Sequence, residues 1–478
     1  MEQARFIKIL QQLSGRQRQK YMAFLRSPYF NNSEKIIKLN ELVFTGKEPL
    51  TKEYIYAQVY PDEKFDVRRL PDLMYKSLKL LQEFLTEEQF AHKTWDRKIN
   101  LLGYIRENEM DELKGVVLRE MEELRTSNLL RDSDYFFEEF QYRAETDKIF
   151  LSQARLQGEQ SLQQKVDSLD LFYLAAKLRD SCDMMNRTRI FATGYDFHLL
   201  DGLLAMIKAD FARYTQYPAI SLYYRIILML RDPENTSIFF ELKEEVFLHI
   251  QFFSQDEQRS LYGYLQNYCI RQVNNGNFEF YKELLQLYHH MFDRQMMDER
   301  NKNLQWDLKN IVSTALRLGD YEWTHRIISE VKEKLPKDVR ENAYNYNLAN
   351  YYYETQEFAK AKKLLQTVEF TDVYYSLGSK SMLLKIYFEQ EEEEAFYSFV
   401  AAFKAYLTRN KTISKDNNII YNNLVKFARQ VFAYKTSLPY LKKKNLKKII
   451  ALKDTIIRTK QVANLSWLVR EIDRIVEH

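Results

Sequence analysis

The chain has 478 residues, a net charge of +4, 45% hydrophobic and 29% charged residues, a balance that excludes an intrinsically disordered polymer. It holds only 11 Gly and 8 Pro, far below the roughly 7% and 5% of average usage. That scarcity excludes a turn-rich β-sandwich or barrel and predicts an all-α chain of long helices with short connections, as several domains or as one extended repeat array.

In chain order, the opening stretch MEQARFIKIL contains no apolar run of signal-peptide length. Phe6, Ile9, Leu10 and Leu13 recur at helical spacing, Gly15 interrupts them, and a second helix through Tyr21, Phe24 and Leu25 is expected to stop at Ser27-Pro28. Tyr29-Phe30-Asn31-Asn32-Ser33 is an aromatic turn whose Asn and Ser side chains could cap the following helix. It is expected to plug a gap between helices, with partner docking as the alternative. Residues 52–60 predict a short helix, and a longer one follows from about Pro71, with Leu73, Leu78, Leu81 and Leu85 near one face. Short helix, turn and long helix is a shape that helix-turn-helix DNA readers use, but the second helix offers only Lys76, Lys79 and Gln82 for base or phosphate contacts.

From Asp96 to Arg187 the pattern stays helical, and the stripe Tyr135, Phe136, Phe137, Phe140 is expected to be core. Leu199, Leu203, Met206 and Phe211 predict one helix and Leu222, Tyr223, Ile226 and Leu230 the next, which Asp232-Pro233 ends. The most apolar stretch, Ile220 to Leu230, carries Arg225 and is shorter than the ~18 residues of a spanning helix. Cys182 and Cys269 stand far apart in sequence. A reduced, cytoplasmic chain without a transmembrane segment is the expectation.

Between Tyr262 and Thr408 one pattern recurs. Gly276-Asn277-Phe278, Gly319-Asp320-Tyr321, Gln356-Glu357-Phe358 and Gln390-Glu391-Glu392 occupy corresponding places, at spacings of 43, 37 and 34 residues. Around them Leu308, Ile311, Val312, Ala315, Thr324, Ile328 and Val331 form one apolar set, with Pro336 where that unit ends. Leu348, Ala349, Tyr352, Phe358, Ala361, Leu365 and Val368 form the next. The copy from Tyr262 keeps Leu265, Tyr268, Cys269, Phe278, Leu285 and Tyr288 but has Tyr281 at a small position. The copy from Ser376 keeps Met382, Leu383, Ile386, Ala395, Phe399 and Ala402 but has Glu392 at the aromatic position. A period near 34 with an aromatic after the turn resembles the tetratricopeptide repeat.

The resemblance implies a right-handed α-solenoid of helix pairs preceded by an N-terminal helical region, with first helices lining a concave groove. Trp306, Lys309, Ser313 and Leu316, then Tyr346, Asn347, Asn350 and Tyr353, then Lys380 and Tyr387 are the groove positions it implies. Members of that family that clamp a peptide carboxylate use Lys, Asn and Arg. Here Lys309 and Asn347 stand at such positions, Ser313 replaces the Asn expected beside Lys309, and Lys380 is shifted. The division expected is 1–95 as an N-terminal helical domain, 96–260 as degenerate helical pairs, 261–410 as repeats, and 411–478 as basic capping helices.

Catalytic and metal signatures are not found. The seven His form no H-E-x-x-H, and the adjacent His289 and His290 project from different helix faces. No phosphate-binding glycine loop is present. Glu391 to Glu394 on one helical turn predict a solvated face or an acidic docking patch. No cofactor and no enzymatic activity are expected.

Charge is uneven. Residues 1–50 hold nine Lys/Arg against four Asp/Glu and residues 435–478 eleven against four, leaving an acidic middle. Lys442, Lys443, Lys444, Lys447 and Lys448 form a dense basic patch beside Leu446, Ile449 and Ile450. It is expected either to be the polar face of a capping helix or to dock an acidic partner, nucleic acid or lipid. The functional expectation is a non-catalytic scaffold that binds a protein or peptide in the groove; the alternative is a nucleic-acid-associated regulator using the basic ends.

Overall fold

The computed structural model describes residues 5–46, 50–61, 63–66, 68–152, 160–191, 194–297, 303–367, 372–437, 443–459 and 461–477. Among them the chain forms 24 α-helices, two single-turn 3-10 helices and no strand, as the shortage of Gly and Pro predicts. None of the described helices is long and apolar enough to cross a membrane. The helices fall into two compact units, Met1–Ile227 with Gln251–Phe253, and Leu228–Ile250 with Ser254–His478.

In the first unit, helices Arg5–Gln11, Gly15–Arg26, Glu34–Thr45, Lys52–Val59 and Arg69–Ala91 enclose one apolar core. Gly15 is the first residue of its helix because Ser14 and Gln17 form a capping box: the Gln17 N–H donates to Ser14 Oγ and the Ser14 N–H to Gln17 Oε1. The aromatic turn divides its roles. Phe30 stacks on Phe24 at 4.2 Å between centroids, whereas Tyr29 is 87% exposed. Asn31 caps the helix before it, donating to the Leu25 carbonyl at 2.8 Å, and Ser33 makes no side-chain cap to the helix after it. Helix Arg69–Ala91 buries Leu70, Leu73, Met74, Ser77, Leu81 and Phe84, so Leu85 faces outward.

Further on, Thr94–Glu107 packs on Asp111–Ser127 and on Ser133–Leu151, which in turn packs on the 31-residue helix Ser161–Phe191. Helix Leu200–Ala209 buries Leu200, Leu204 and Ile207 and exposes Met206, with Leu199 exposed just before it, so its apolar face lies one residue beyond the expected one.

In the second unit four helix pairs follow one another: Gln255–Asn274 with Phe280–Asp293, Leu304–Arg317 with Tyr321–Val331, Arg340–Glu354 with Phe358–Thr367, and Val373–Glu389 with Glu393–Arg409. Each turn passes through one left-handed residue, Gly276 (φ 95°), Gly319 (φ 77°), Gln356 (φ 63°) and Glu391 (φ 53°). In each, the next N–H reaches the carbonyl five residues back: Asn277 to Gln272 (2.9 Å), Asp320 to Ala315 (3.0 Å), Glu357 to Tyr352 (2.8 Å), Glu392 to Tyr387 (3.3 Å). This is the long bond of a Schellman cap, which satisfies carbonyls that the ending helix would otherwise leave bare. The fourth turn is therefore centred one residue later than the sequence alignment has it, and Glu393 occupies the place of Phe278, Tyr321 and Phe358.

Leu304–Arg317 packs on Arg340–Glu354, and that helix on Val373–Glu389, while Tyr321–Val331 and Phe358–Thr367 each pack on the first helix of the following pair. Leu308, Ile311, Val312, Ala315, Thr324, Ile328, Val331, Ala349, Ala361 and Leu365 are all buried in these seams; Val368 lies outside the described residues. Phe278, by contrast, is 63% exposed. The last pair shares a single apolar core with helices Lys415–Thr436, Lys443–Thr459 and Leu465–Glu477, built around Phe388, Phe396, Phe403, Phe432 and Trp467.

A left-handed conformation costs a non-glycine residue roughly 1 kcal/mol. Gln356→Gly and Glu391→Gly are each expected to stabilise the chain by about 0.5–1 kcal/mol and Gly319→Ala to destabilise it by about 1 kcal/mol, read as shifts in the urea midpoint at unchanged slope.

Candidate functional site

The groove residues are not all where the repeat resemblance expects them. On helix Leu304–Arg317, Trp306 and Lys309 lie three residues apart and share a side. The Lys309 ammonium is 5.7, 5.2 and 5.1 Å from the ring centroids of Trp306, Tyr346 and Tyr375. Trp306 and Tyr375 rings are 5.0 Å apart, Tyr346 meets Tyr375 edge-on at 4.9 Å, and the Tyr375 hydroxyl donates to the Gln305 carbonyl at 2.9 Å. Burial holds the Lys309 ammonium below its ordinary pKa, with Asp372 pulling the other way. Three ring faces supply the attraction that water would otherwise give the cation. Tyr346 approaches helix Val373–Glu389 at Gly378, where a Cβ would meet its hydroxyl at 2.6 Å. Aromatic rings therefore fill the first-helix face at this level instead of leaving an open trough.

Several expected contact residues are corrected accordingly. Leu316, Tyr346, Asn347 and Tyr353 are buried between helices, because large amphipathic rings and a small amide satisfy the interhelical seam better than solvent does. Asn347 donates to the Ala343 carbonyl at 2.8 Å, and its carbonyl oxygen has no partner among the described residues. Lys380 lies over Tyr406, and Tyr387 packs on Phe399 under Lys362; both therefore contact second helices. Ser313 is exposed and Asn350 half-buried.

A second cluster lies further along the same helices. The Lys385 ammonium stands 4.4 Å over the Tyr353 ring, and burial depresses its pKa to about 8, opposed by Glu354, Glu389 and Glu471 and reinforced by Arg470. Glu471, itself buried, pairs with Arg474 at 3.0 Å, and Trp467 Nε1 donates to Glu389 at 3.4 Å. Tyr375, Gly378 and Lys385 were not among the expected groove residues, and only the helix-to-helix register reveals them.

A third feature is a cavity of about 650 Å³ between Glu393–Arg409 and Lys415–Thr436. Lys404 comes from the first wall and Lys426 and Arg429 from the second, beside the amides of Asn422, Asn423 and Gln430.

The remaining expectations resolve simply. Glu391 and Glu392 pair with Lys435 (3.5 Å) and Lys362 (2.8 Å), so half of the acidic run ties helices together. His289 reaches Asp320 at 3.1 Å, while the His290 ring stacks on Phe247 at 3.9 Å and contacts the Tyr262 hydroxyl. The two imidazoles thus serve different neighbours. Among the described residues no group of three or more His, Cys, Asp and Glu could hold a metal ion. Cys182 and Cys269 are free and buried, and burial pushes both thiols up.

In the N-terminal region Lys76 pairs with Asp72, Arg69 with Glu63, Lys35 with Glu63, Lys20 with Glu88 and Arg26 with Glu41. Of the basic patch, Lys447 and Lys448 are exposed; Lys442 and the side chains of Lys443 and Lys444 lie outside the described residues.

No family model, curated protein or solved structure matches the chain. The repeat resemblance accordingly rests on this chain's own residues and turns.

The Lys385 shift gives a signed pH dependence. Between pH about 8 and 10.5 the unfolded chain holds a proton on this lysine that the folded chain does not, so this group's contribution to stability rises with pH across that window. Lys385→Met is expected to stabilise the chain by about 1–3 kcal/mol at pH 7.5. The gap between the two proteins should narrow toward pH 10, as followed by urea unfolding at each pH.

Proposed function

We propose that the chain is a non-catalytic helical-repeat scaffold, a right-handed α-solenoid over its second unit, that binds a protein or peptide along the face made by its first helices. The observation that carries this reading is the repetition of one geometry. Four helix pairs close through the same left-handed Schellman turn, and the first helices of three consecutive pairs pack on one another in order. A pair of this kind has one seam inside and another that only the next pair can cover, which is the logic of helical repeat proteins. The stack turns a row of first-helix side chains toward one side, a surface suited to peptide recognition by aromatic area and scattered hydrogen bonds.

The accessible members of that row are Trp306, Ser313, Asn350 and the 56% exposed Tyr374. Tyr346 and Tyr353 are packing residues whose loss would perturb the fold itself. Two buried free thiols are compatible with the reducing cytoplasm. The nucleic-acid reading has less support, since Lys20, Arg26, Lys35, Arg69 and Lys76 of the N-terminal segment each pair with an Asp or Glu and such pairs blunt the phosphate attraction on which non-specific binding depends.

The test compares proteins co-purifying with the full chain and with a Trp306→Ala/Asn350→Ala/Tyr374→Ala variant of matched circular dichroism and melting temperature. Loss of one or more partners from the variant is expected. An identical set of partners would remove the first-helix face from the function.

A further inference from the structure

We propose that the groove between helices Glu393–Arg409 and Lys415–Thr436 is the docking site for an acidic peptide segment of a protein partner. The inference rests on the scaffold reading and adds to it a second surface, outside the first-helix row, with the chemistry of its occupant. The cavity's volume of about 650 Å³ falls within the ~300–1,000 Å³ of ordinary ligand sites. Part of its lining is apolar: Val400 and Val425 are buried, and Tyr397 adds an aromatic ring.

Charge decides what enters. Lys404, Lys426 and Arg429 line the cavity, and among the described residues no carboxylate does. Among the described residues none of the three has an Asp or Glu within ion-pair distance, whereas neighbouring cations do: Lys435 pairs with Glu391, Lys453 with Asp473 and Arg474 with Glu471. Three like charges around one concave, partly apolar surface repel one another and focus an electropositive field into it. An anionic ligand relieves that repulsion and gains charge-assisted hydrogen bonds.

The amides decide between anions. Asn422 donates both of its amide hydrogens to Asn418, to the backbone carbonyl at 2.9 Å and to Oδ1 at 2.8 Å, which leaves its carbonyl oxygen as an acceptor, and Asn423 donates one N–H to the Gln461 carbonyl at 2.9 Å and keeps its oxygen as a second acceptor. Acceptors are of little use to a phosphodiester backbone or a phospholipid headgroup, whose charged oxygens also only accept. A peptide supplies backbone N–H donors for these acceptors together with carboxylates for the cations. The wall from Asn422 to Ala433 is three helical turns, roughly 16 Å at 1.5 Å per residue. About five extended residues match that length, enough for two or three acidic side chains and one apolar side chain against Val400 and Val425.

Selection of a display library of random eight-residue peptides on the full-length chain tests the proposal. Enriched sequences carrying two or more Asp or Glu around an aliphatic or aromatic residue are expected. Enrichment should fall about tenfold or more on a Lys404→Gln/Lys426→Gln/Arg429→Gln variant. All three residues are exposed, so that variant retains the parent's melting temperature. It should be untouched in a Lys447→Gln/Lys448→Gln variant of equal charge loss per site. Enriched peptides without acidic bias, or acidic peptides that bind the cavity variant as well as the parent, would overturn the assignment. So would a single-stranded oligonucleotide that displaces the selected peptides and loses affinity with the same three substitutions. Peptides lost with Trp306, Asn350 and Tyr374 but kept by the cavity variant would sink this inference while leaving the scaffold reading intact.

Discussion

Two amphipathic helices closed by a tight turn bury one seam and leave another bare, and the second unit of this chain is arranged around that constraint. Its solution is local and repeated: a helix ends in one left-handed residue, the chain reverses, and the following helix lies where both it and the next pair can be packed. Ala315, Thr324, Ala349 and Ala361 are fully buried at these seams, small enough to let backbones approach. The aromatic excess has its place here too. Phe, Tyr and Trp fill the spaces between successive pairs, and at the end of the chain Phe388, Phe396, Phe432 and Trp467 close the core that the last three helices share.

Packing of this kind determines which cations are left over. Lys309 is surrounded by three rings, Lys385 is held over Tyr353 with its proton loosened, and Lys362 and Lys435 bind the acidic run at Glu391 and Glu392. Each of these is absorbed into the architecture. Lys404, Lys426 and Arg429 are different, because the helices that carry them meet without bringing a carboxylate to the same place. Exposed cations with no carboxylate beside them, next to apolar surface, leave a field that an anionic partner can use.

Helix positions were legible in the sequence because the 3.6-residue apolar period does not depend on what a helix packs against. Leu222, Tyr223, Ile226 and Leu230 or Ile311, Val312 and Ala315 identify their buried faces directly. The turns were legible at Gly276 and Gly319 and misaligned by one residue at Glu391, since a left-handed Glu carries no compositional mark and is held by backbone hydrogen bonds alone. The capping box at Ser14 and Gln17 has a sequence signature, but the Gly15 beside it reads as a helix breaker. The candidate site was far less legible. Tyr346 and Tyr353 have the amphipathic character of either an interface or a core residue, and only the neighbouring helix settles which. Lys426 and Arg429 look like any solvated helix face until Lys404 arrives from a segment about twenty residues earlier in the chain.

If each pair is coupled mainly to its neighbours, hydrogen exchange followed by mass spectrometry on an Ala361→Glu variant will show it. Ala361 is fully buried in the third pair, so a carboxylate there must be expelled. Lost protection is expected in Arg340–Glu354 and Phe358–Thr367, partial loss in the pairs on either side, and native protection in Gln255–Asn274. Uniform loss across the whole second unit, or no loss outside the substituted helix, would contradict such coupling.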